Sequence, residues 1–501
     1  MHLLLALTLI AAQAKAAHVA PANRLVVCDD IHDPMTLDPH KELSEKNHTL
    51  LQQIYEGLVR FDPAGKIEPA LAVSWERLDP LKMRFHLRDK VLFHDGEPFD
   101  AEAVRFSVER MLAPRTQNPA IGFVGTLDHA EVIDPLTVDL ITKIPDGILL
   151  NRLAWTVPMI PPKYAKEAGD DKFSQNPIGT GPFQFEGWDR GKEIALKANP
   201  NYWMKGYPKM AELIFRFIPE DKKLQSLFAG DVDLVTSIPG TQTLQVQSHP
   251  GTKIIKVKTF FTAFASLNIS TGPFSDLRVR QAVNMAVDHQ ALIRYDLLGN
   301  GTPIASLTMP GEAGHNPNLK PFPYDPIKAR AMLKEAGHEK GFTVEAGGNA
   351  NAERTAKIIS ADLAKIGIKV NLNLSADSNM LEDFKTHTYD IIFGGVPDPM
   401  ADSYLIQSIV LYSRSPYCLA KNPDYDMLLE NMVSTIDDQK RESLARDLDK
   451  YVHDNALGIF TYQRIQTHAA REGLKFTPYS GTPYFFSTQY TKNEKNKPRP
   501  H

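Results

Sequence analysis

The alternation of apolar and polar residues divides this chain into two styles of folding. From residue 24 to about 262 the pattern is rich in strands. Met83, Phe85 and Leu87 alternate with Arg84 and His86, the two-residue period of a half-buried strand. Leu213, Phe215 and Phe217 repeat that period, as do Ile194 and Leu196. A hairpin is predicted over 132–138, turning at Asp134-Pro135. Helices here are short. One is predicted over 47–58, with Leu50, Ile54 and Leu58 at four-residue spacing. A second, capped by Asp100, carries Val104, Val108, Met111 and Leu112 on one face. A third, through Leu224, Leu227 and Phe228, stops at Gly230.

From 263 to about 466 a strand–helix rhythm takes over. Val279, Ala282, Val283, Ala286 and Val287 form one buried helical stripe. Asp325 caps the next helix, Pro326 occupies a position that needs no N–H, and Gly337 ends it. A helix over 352–366 turns Ala356, Ile359, Leu363 and Ile366 inward. Ile368, Val370, Leu372 and Leu374 then alternate with Lys369, Asn371 and Asn373, a strand with one wet face. The apolar run 389–393 reads as a strand deep in a sheet. Helices near 424–435 and 438–453 precede a strand over 457–462. The fold class is α/β.

A chain of 501 residues exceeds what one hydrophobic core supports, so two or more lobes are expected. A net charge of −4, with no long basic run, excludes nucleic acid as a partner. Leu3 to Ala12 is apolar but too short to span a bilayer, and Ala14-Lys15-Ala16 offers a small-x-small site. Residues 1–16 are therefore read as a signal peptide cleaved after Ala16. Two cysteines, Cys28 and Cys418, are read as unbridged thiols. Val27 stands before Cys28 where a lipid-attachment site needs a small residue, which points to a soluble exported protein. There is no G-x-S-x-G, H-E-x-x-H or P-loop, and the sixteen histidines are scattered. No catalytic residue, metal site or cofactor is expected, and the chain is read as not an enzyme.

Longer strings carry a family resemblance. Residues 87–110, from Leu87-Arg88 through Phe93-His94-Asp95-Gly96 and Pro98-Phe99 to Arg110, resemble the signature of the family 5 solute-binding proteins. These are periplasmic dipeptide and oligopeptide receptors of ABC importers. Residues 176–185 (NPIGTGPFQF) and 198–203 (ANPNYW) resemble the family's next motifs. The segments 276–282 (DLRVRQA) and 325–337 resemble two of its helices. The resemblance implies a two-lobed periplasmic-binding-protein fold of class II, the venus-flytrap type, with an extra subdomain in the first lobe. Residues 17–262 and 467–490 would form lobe I, with the subdomain at about 66–180. Lobe II would cover 263–466, with crossings near 262–265 and 463–468, and a disordered tail would follow at 491–501. His94, inside the FHDG turn, is read as structural.

By the same resemblance the chain would be a monomer that binds a small peptide or peptide-like solute between its lobes. It would deliver that solute to the permease subunits of an ABC transporter. Relatives that carry nickel chelates, glutathione, sugars or opines keep a non-peptide solute open; a secreted hydrolase is the alternative of another class. In peptide-binding relatives an aspartate in a glycine- and tryptophan-rich loop holds the ligand amine. The matching loop here, 394–404, has no tryptophan, and an ungapped match puts Pro397 where that aspartate is expected. Asp398 is the replacement candidate, and Asp402, read as a helix N-cap, and Tyr404 follow. The loop 349–354 is short and lacks the arginine that dipeptide receptors place there for the carboxylate; Asn349 and Arg354 are candidates from it, although Arg354 reads first as a helix opener. Ser44 and Glu45 occupy the ligand-facing loop after the first strand.

Overall fold

The computed structural model describes residues 23–30, 33–375 and 389–491, apart from the side chains of Glu45, Lys46 and Ser375. The expected signal peptide and nearly all of the expected tail lie outside the described residues. One sheet of eleven strands runs through both lobes. At one end stand Ile368–Ser375, Phe342–Asn349 and Ile391–Pro397. At the other stand Leu234–Val235, Arg24–Cys28, Glu212–Arg216, Glu193–Ala198 and Phe183–Asp189. Between them two long antiparallel strands, Thr252–Leu267 and Gly458–Arg471, belong to both halves.

The ladder between the two crossing strands breaks in mid-length. Lys258 pairs with Ile465 and Thr262 with Gln463, so Thr259, Phe260 and Phe261 stand opposite Arg464 alone. Extra residues on one strand form a bulge, which bends the strand and re-aims its side chains. Two side chains tie the bulge. Thr259 Oγ1 donates to the Arg464 carbonyl at 3.1 Å, and Gln463 Nε2 donates to the Thr259 carbonyl at 3.2 Å. The last strand is longer than the 457–462 predicted. Beyond Tyr462 its alternate residues Arg464, Gln466 and His468 face a polar cavity, so the apolar period fades while the strand continues.

The predicted stripes build the cores. Val279, Ala282, Val283 and Ala286 of the helix Leu277–Ala286 pack with Ile359, Leu363, Val344 and Phe393. In the first lobe Met83, Phe85 and Leu87 meet Val104, Val108 and Met111 over a four-stranded sheet. Burying each such side chain contributes about 1.5–3 kcal/mol. Asp100 caps its helix by accepting from Ala103 N–H, and Asp325 does the same for Lys328. The first helix is Glu45–Ile54, shorter than the 47–58 expected. Its end is set from outside: Gly181 N–H donates to the Ile54 carbonyl at 2.8 Å, and Tyr55 turns extended. Cys28 is buried, Cys418 is half-buried, and neither is bridged.

Candidate functional site

The motif residues of the first lobe converge on one buried carboxylate. Glu56, 2% exposed, accepts from Tyr202 Oη at 2.8 Å, Trp203 Nε1 at 2.9 Å and Thr180 Oγ1 at 3.0 Å. Burial pushes its carboxyl up, opposed by the nearby Arg60 charge and by these donors. Thr180 sits in Gly179-Thr180-Gly181, and a Cβ at Gly179 would lie 2.1 Å from the Ile54 carbonyl, so only glycine lets the loop approach that helix end. His94 ties its own turn to this loop. Its Nδ1 accepts from Gly179 N–H at 3.3 Å while Nε2 donates to the Gly181 carbonyl at 3.0 Å, the arrangement of a neutral ring. Burial lowers that ring to about 4. The signature residues are thus a scaffold, with their polar groups satisfied.

The space between the lobes is different. A cavity of about 990 Å³ is walled on the first-lobe side by Asp29, Asp30, Thr236 and Tyr479, and on the other by Pro397 and Asp398. Its floor is the bulge, with Phe260 and Phe261, and the alternating row Arg464, Gln466 and His468. It continues past Asp398 and Tyr479 into a space of about 410 Å³, and from there past Gln52, Trp155 and Tyr484 into one of about 610 Å³ beside the helix Glu45–Ile54.

Charge in this groove is uneven. Asp29 Oδ1 accepts from Thr236 Oγ1 at 2.5 Å and from Asp30 N–H at 2.7 Å, whereas its buried Oδ2 has no hydrogen-bond partner among the described residues. Burial, the largest cause, raises Asp29 to about 6. Asp30 is paired with Lys223. The Arg464 guanidinium lies over the Phe261 ring, 5.4 Å from its centroid, and makes no ion pair among the described residues. His468 is buried, and its ring is lowered to about 4 by desolvation, so it is neutral at pH 7.

Asp398, the aspartate singled out from the sequence, does line the cleft, on both the larger and the middle cavity. It is 2% exposed, and its two oxygens accept from Met400 N–H at 2.7 Å and Asp402 N–H at 3.2 Å. Burial is the main cause that raises it to about 7. Beside it the Glu312 carboxyl is pushed well above its usual range by burial and by the Asp398 charge. Of the two carboxyls Glu312 is pushed further toward its protonated form, and Asp398, raised to about 7, is only partly ionised at neutral pH.

The other sequence candidates are dispersed. Asp402 is fully buried; it stands one residue before Ser403, the N-cap of the helix Tyr404–Val410, accepts from Tyr404 N–H at 3.0 Å and pairs with Arg441 at 2.8 Å. Tyr404 lies under the Arg152 guanidinium, 4.6 Å from ring centroid to charge, and lines none of the three cavities. Asn349 accepts from Asn351 N–H at 2.7 Å, and exposed Arg354 opens the helix Glu353–Ala364 with its Nη1 3.4 Å from the Asp296 carbonyl. Neither lines the three cavities. Ser44 is exposed and lines the first-lobe end of the groove; the Glu45 side chain lies outside the described residues. Sequence reasoning missed Asp29 and Arg464. One signal was present: Asp29-Asp30 follow the apolar strand Arg24–Cys28 directly, at the carboxyl edge where α/β sheets bind ligands.

Three comparisons bear on this geometry. A family model described as bacterial extracellular solute-binding proteins, family 5 middle, matches residues 66–414. The glutathione-binding protein GsiB of Salmonella paratyphi A is 30% identical over 343 residues, 67% of each chain. Among solved structures, the periplasmic binding protein DppA from Helicobacter pylori in complex with the peptide STSA superposes with a TM-score of 0.78 at 25% identity, covering 94% of this chain and 98% of that one. AgaA of A. tumefaciens R10, in complex with agropinic acid, superposes with a TM-score of 0.75 at 28% identity, covering 93% and 99%.

Proposed function

The chain belongs to the bacterial extracellular solute-binding proteins of family 5, and we propose that it is the periplasmic receptor of an ABC importer, holding a peptide or peptide-like solute between its lobes and presenting it to the membrane permease. The observation that carries this reading is the cleft. Both lobes line it, its floor is a bulge in the two long strands they share, and charges of both signs face it. No described helix is long and apolar enough to cross a membrane. Lobe I is taken as 17–262 with 467–490, and lobe II as 263–466; separate buried clusters around Phe85, Phe215 and Phe393 support the division.

In this reading Asp398 is the second lobe's anchor for a ligand cation, since its carboxyl stands at a dry wall of the cleft, where an arriving cation favours its ionised form. The bulge at Thr259–Phe261 is where the lobes bend toward each other. Closure needs a ligand that touches both sides. Moving the open–closed ratio from 1:99 to 99:1 takes roughly 5.5 kcal/mol of differential binding, the yield of about four charge-assisted hydrogen bonds at ~1.5 kcal/mol each. The test is thermal unfolding of the ligand-free protein with di- to pentapeptides, glutathione and opines. A bound solute at a hundred times its Kd adds about 2.7 kcal/mol, which raises the melting temperature visibly. A flat response to every class removes the receptor reading.

A further inference from the structure

We infer that the cleft selects a solute bearing a cationic group and a carboxylate with no net negative charge, the cation held by Asp29 and the carboxylate by Arg464, and that it discriminates against anionic solutes such as glutathione. The inference rests on the reading of the cleft as the solute site. It starts from a charge census. Six carboxyl side chains line the continuous groove, those of Asp29, Asp30, Glu42, Glu56, Asp62 and Asp398, against one guanidinium, Arg464, and no lysine among the described residues.

Most of the six are committed to the protein. Asp30 pairs with Lys223. Glu42 accepts from Ser44 N–H and Asn47 Nδ2, Asp62 from Ala64 N–H and Lys66 N–H, and Glu56 from its three side-chain donors. Asp398 has each oxygen on a backbone N–H. Asp29 alone among them keeps an oxygen that is buried and unpartnered while its other oxygen is fixed in place by Thr236. A carboxylate oxygen held out of water without a donor is costly, and an arriving ammonium or guanidinium group removes that cost.

The opposite charge is near along a defined path. Thr236 donates its hydroxyl to Asp29 and accepts at its carbonyl from Gln466 Nε2 at 2.7 Å. Gln466 and Arg464 lie on the same strand two residues apart, a step of about 6.8 Å on one face. Asp29 and Arg464 thus line the same cavity and are linked through Thr236 and Gln466, which offers a solute one site for a cation and one for a carboxylate. Glutathione brings two carboxylates and one amine. With one guanidinium in the groove, its second carboxylate meets a lining of like charge, which is the repulsive element that creates specificity. A basic side chain instead meets Asp398 or the remaining acidic lining.

The test is calorimetric titration of the full ligand-free chain at pH 7.5 with lysyl-alanine, alanyl-alanine, glutamyl-alanine and glutathione. Lysyl-alanine is expected to bind tightest, with glutamyl-alanine and glutathione weaker by at least about tenfold, or 1.4 kcal/mol. Asp29→Asn, whose amide oxygen keeps the Thr236 bond, is expected to weaken all four probes, each of which carries the amine that Asp29 holds, without lowering the unliganded melting temperature. Arg464→Gln is expected to weaken every probe with a free carboxylate. Glutathione binding as tightly as lysyl-alanine, or unchanged affinities in Asp29→Asn, overturns the charge selection and leaves the receptor reading standing. Heat from none of the four overturns the charge selection, while the receptor reading is decided by the wider screen that includes longer peptides and opines.

Discussion

Glu56 and Asp29 are both carboxylates of the first lobe drawn out of water, and the protein treats them in opposite ways. Glu56 is surrounded by three side-chain donors that come from the chain's most recognisable motifs. Asp29 has one oxygen held by Thr236 and one left bare at the wall of the cleft. A buried carboxylate that is fully satisfied organises a fold; one left half satisfied is a place for something else to bind. A second pair differs in place rather than in satisfaction: Asp402 is paired with Arg441 away from the cavities, whereas Asp398, with each oxygen on a backbone N–H, faces the cleft.

The largest break in this contrast is expected at Glu56. Glu56→Ala strands the Tyr202, Trp203 and Thr180 donors together, and a loss of about 4 kcal/mol is expected at ~1–3 kcal/mol for each buried unsatisfied group. Urea unfolding measures it, and a loss below about 1 kcal/mol would show that the network is not the scaffold described. Next comes Asp402→Asn. The amide can still cap Tyr404 N–H but no longer neutralises Arg441, which is only 11% exposed, so a destabilisation of roughly 3 kcal/mol is expected. The sequence reading of Asp402 as a simple cap makes this substitution nearly silent; equilibrium unfolding separates the two views.

The smallest effect concerns pH. Asp29 in the folded protein is raised to about 6, above the ordinary aspartate value near 3.9. The folded state therefore binds the extra proton between those values, and the stability this adds is present at low pH and lost as pH rises through 6. Asp29→Asn cannot titrate. The stability of the native protein minus that of Asp29→Asn should thus fall from pH 4.5 to pH 8, as read from melting curves at each pH. A difference that rises with pH would mean that Asp29 already has a cationic partner in the ligand-free protein.

Much of the scaffold was legible because its signals are local and repetitive. The caps at Asp100 and Asp325, the stripe from Val279 to Ala286 and the alternation from Met83 to Leu87 follow from residue spacing, and each stands in the structure as expected. What spacing cannot show is an event imposed from far along the chain. The helix ending at Ile54 is stopped by Gly181, and the strand from Gly458 runs to Arg471 because Thr252–Leu267 pairs along it. The site suffers most from this. Arg464 fell within the lobe crossing expected near 463–468, and no spacing or motif singled out Asp29. Only the sheet's long-range pairing brings the two to one cavity. Asp398 was singled out because its loop resembles a known ligand loop, and it lines the cleft, whereas Asn349 accepts from Asn351 N–H and Arg354 reaches the Asp296 carbonyl, away from the three cavities.

The central claim is that the cleft holds a solute through carboxylates left available at its walls. It is tested most directly by comparing the affinity of alanyl-alanine with that of N-acetyl-alanyl-alanine in the native protein and in the Asp29→Asn and Asp398→Asn variants. Removing the amine's charge is expected to cost the native protein roughly 2–5 kcal/mol where the pair is desolvated. The gap should shrink in Asp29→Asn, whose carboxylate is inferred to hold that amine, more than in Asp398→Asn, whose oxygens already accept backbone N–H groups. Equal affinity for the two dipeptides in the native protein would contradict the account.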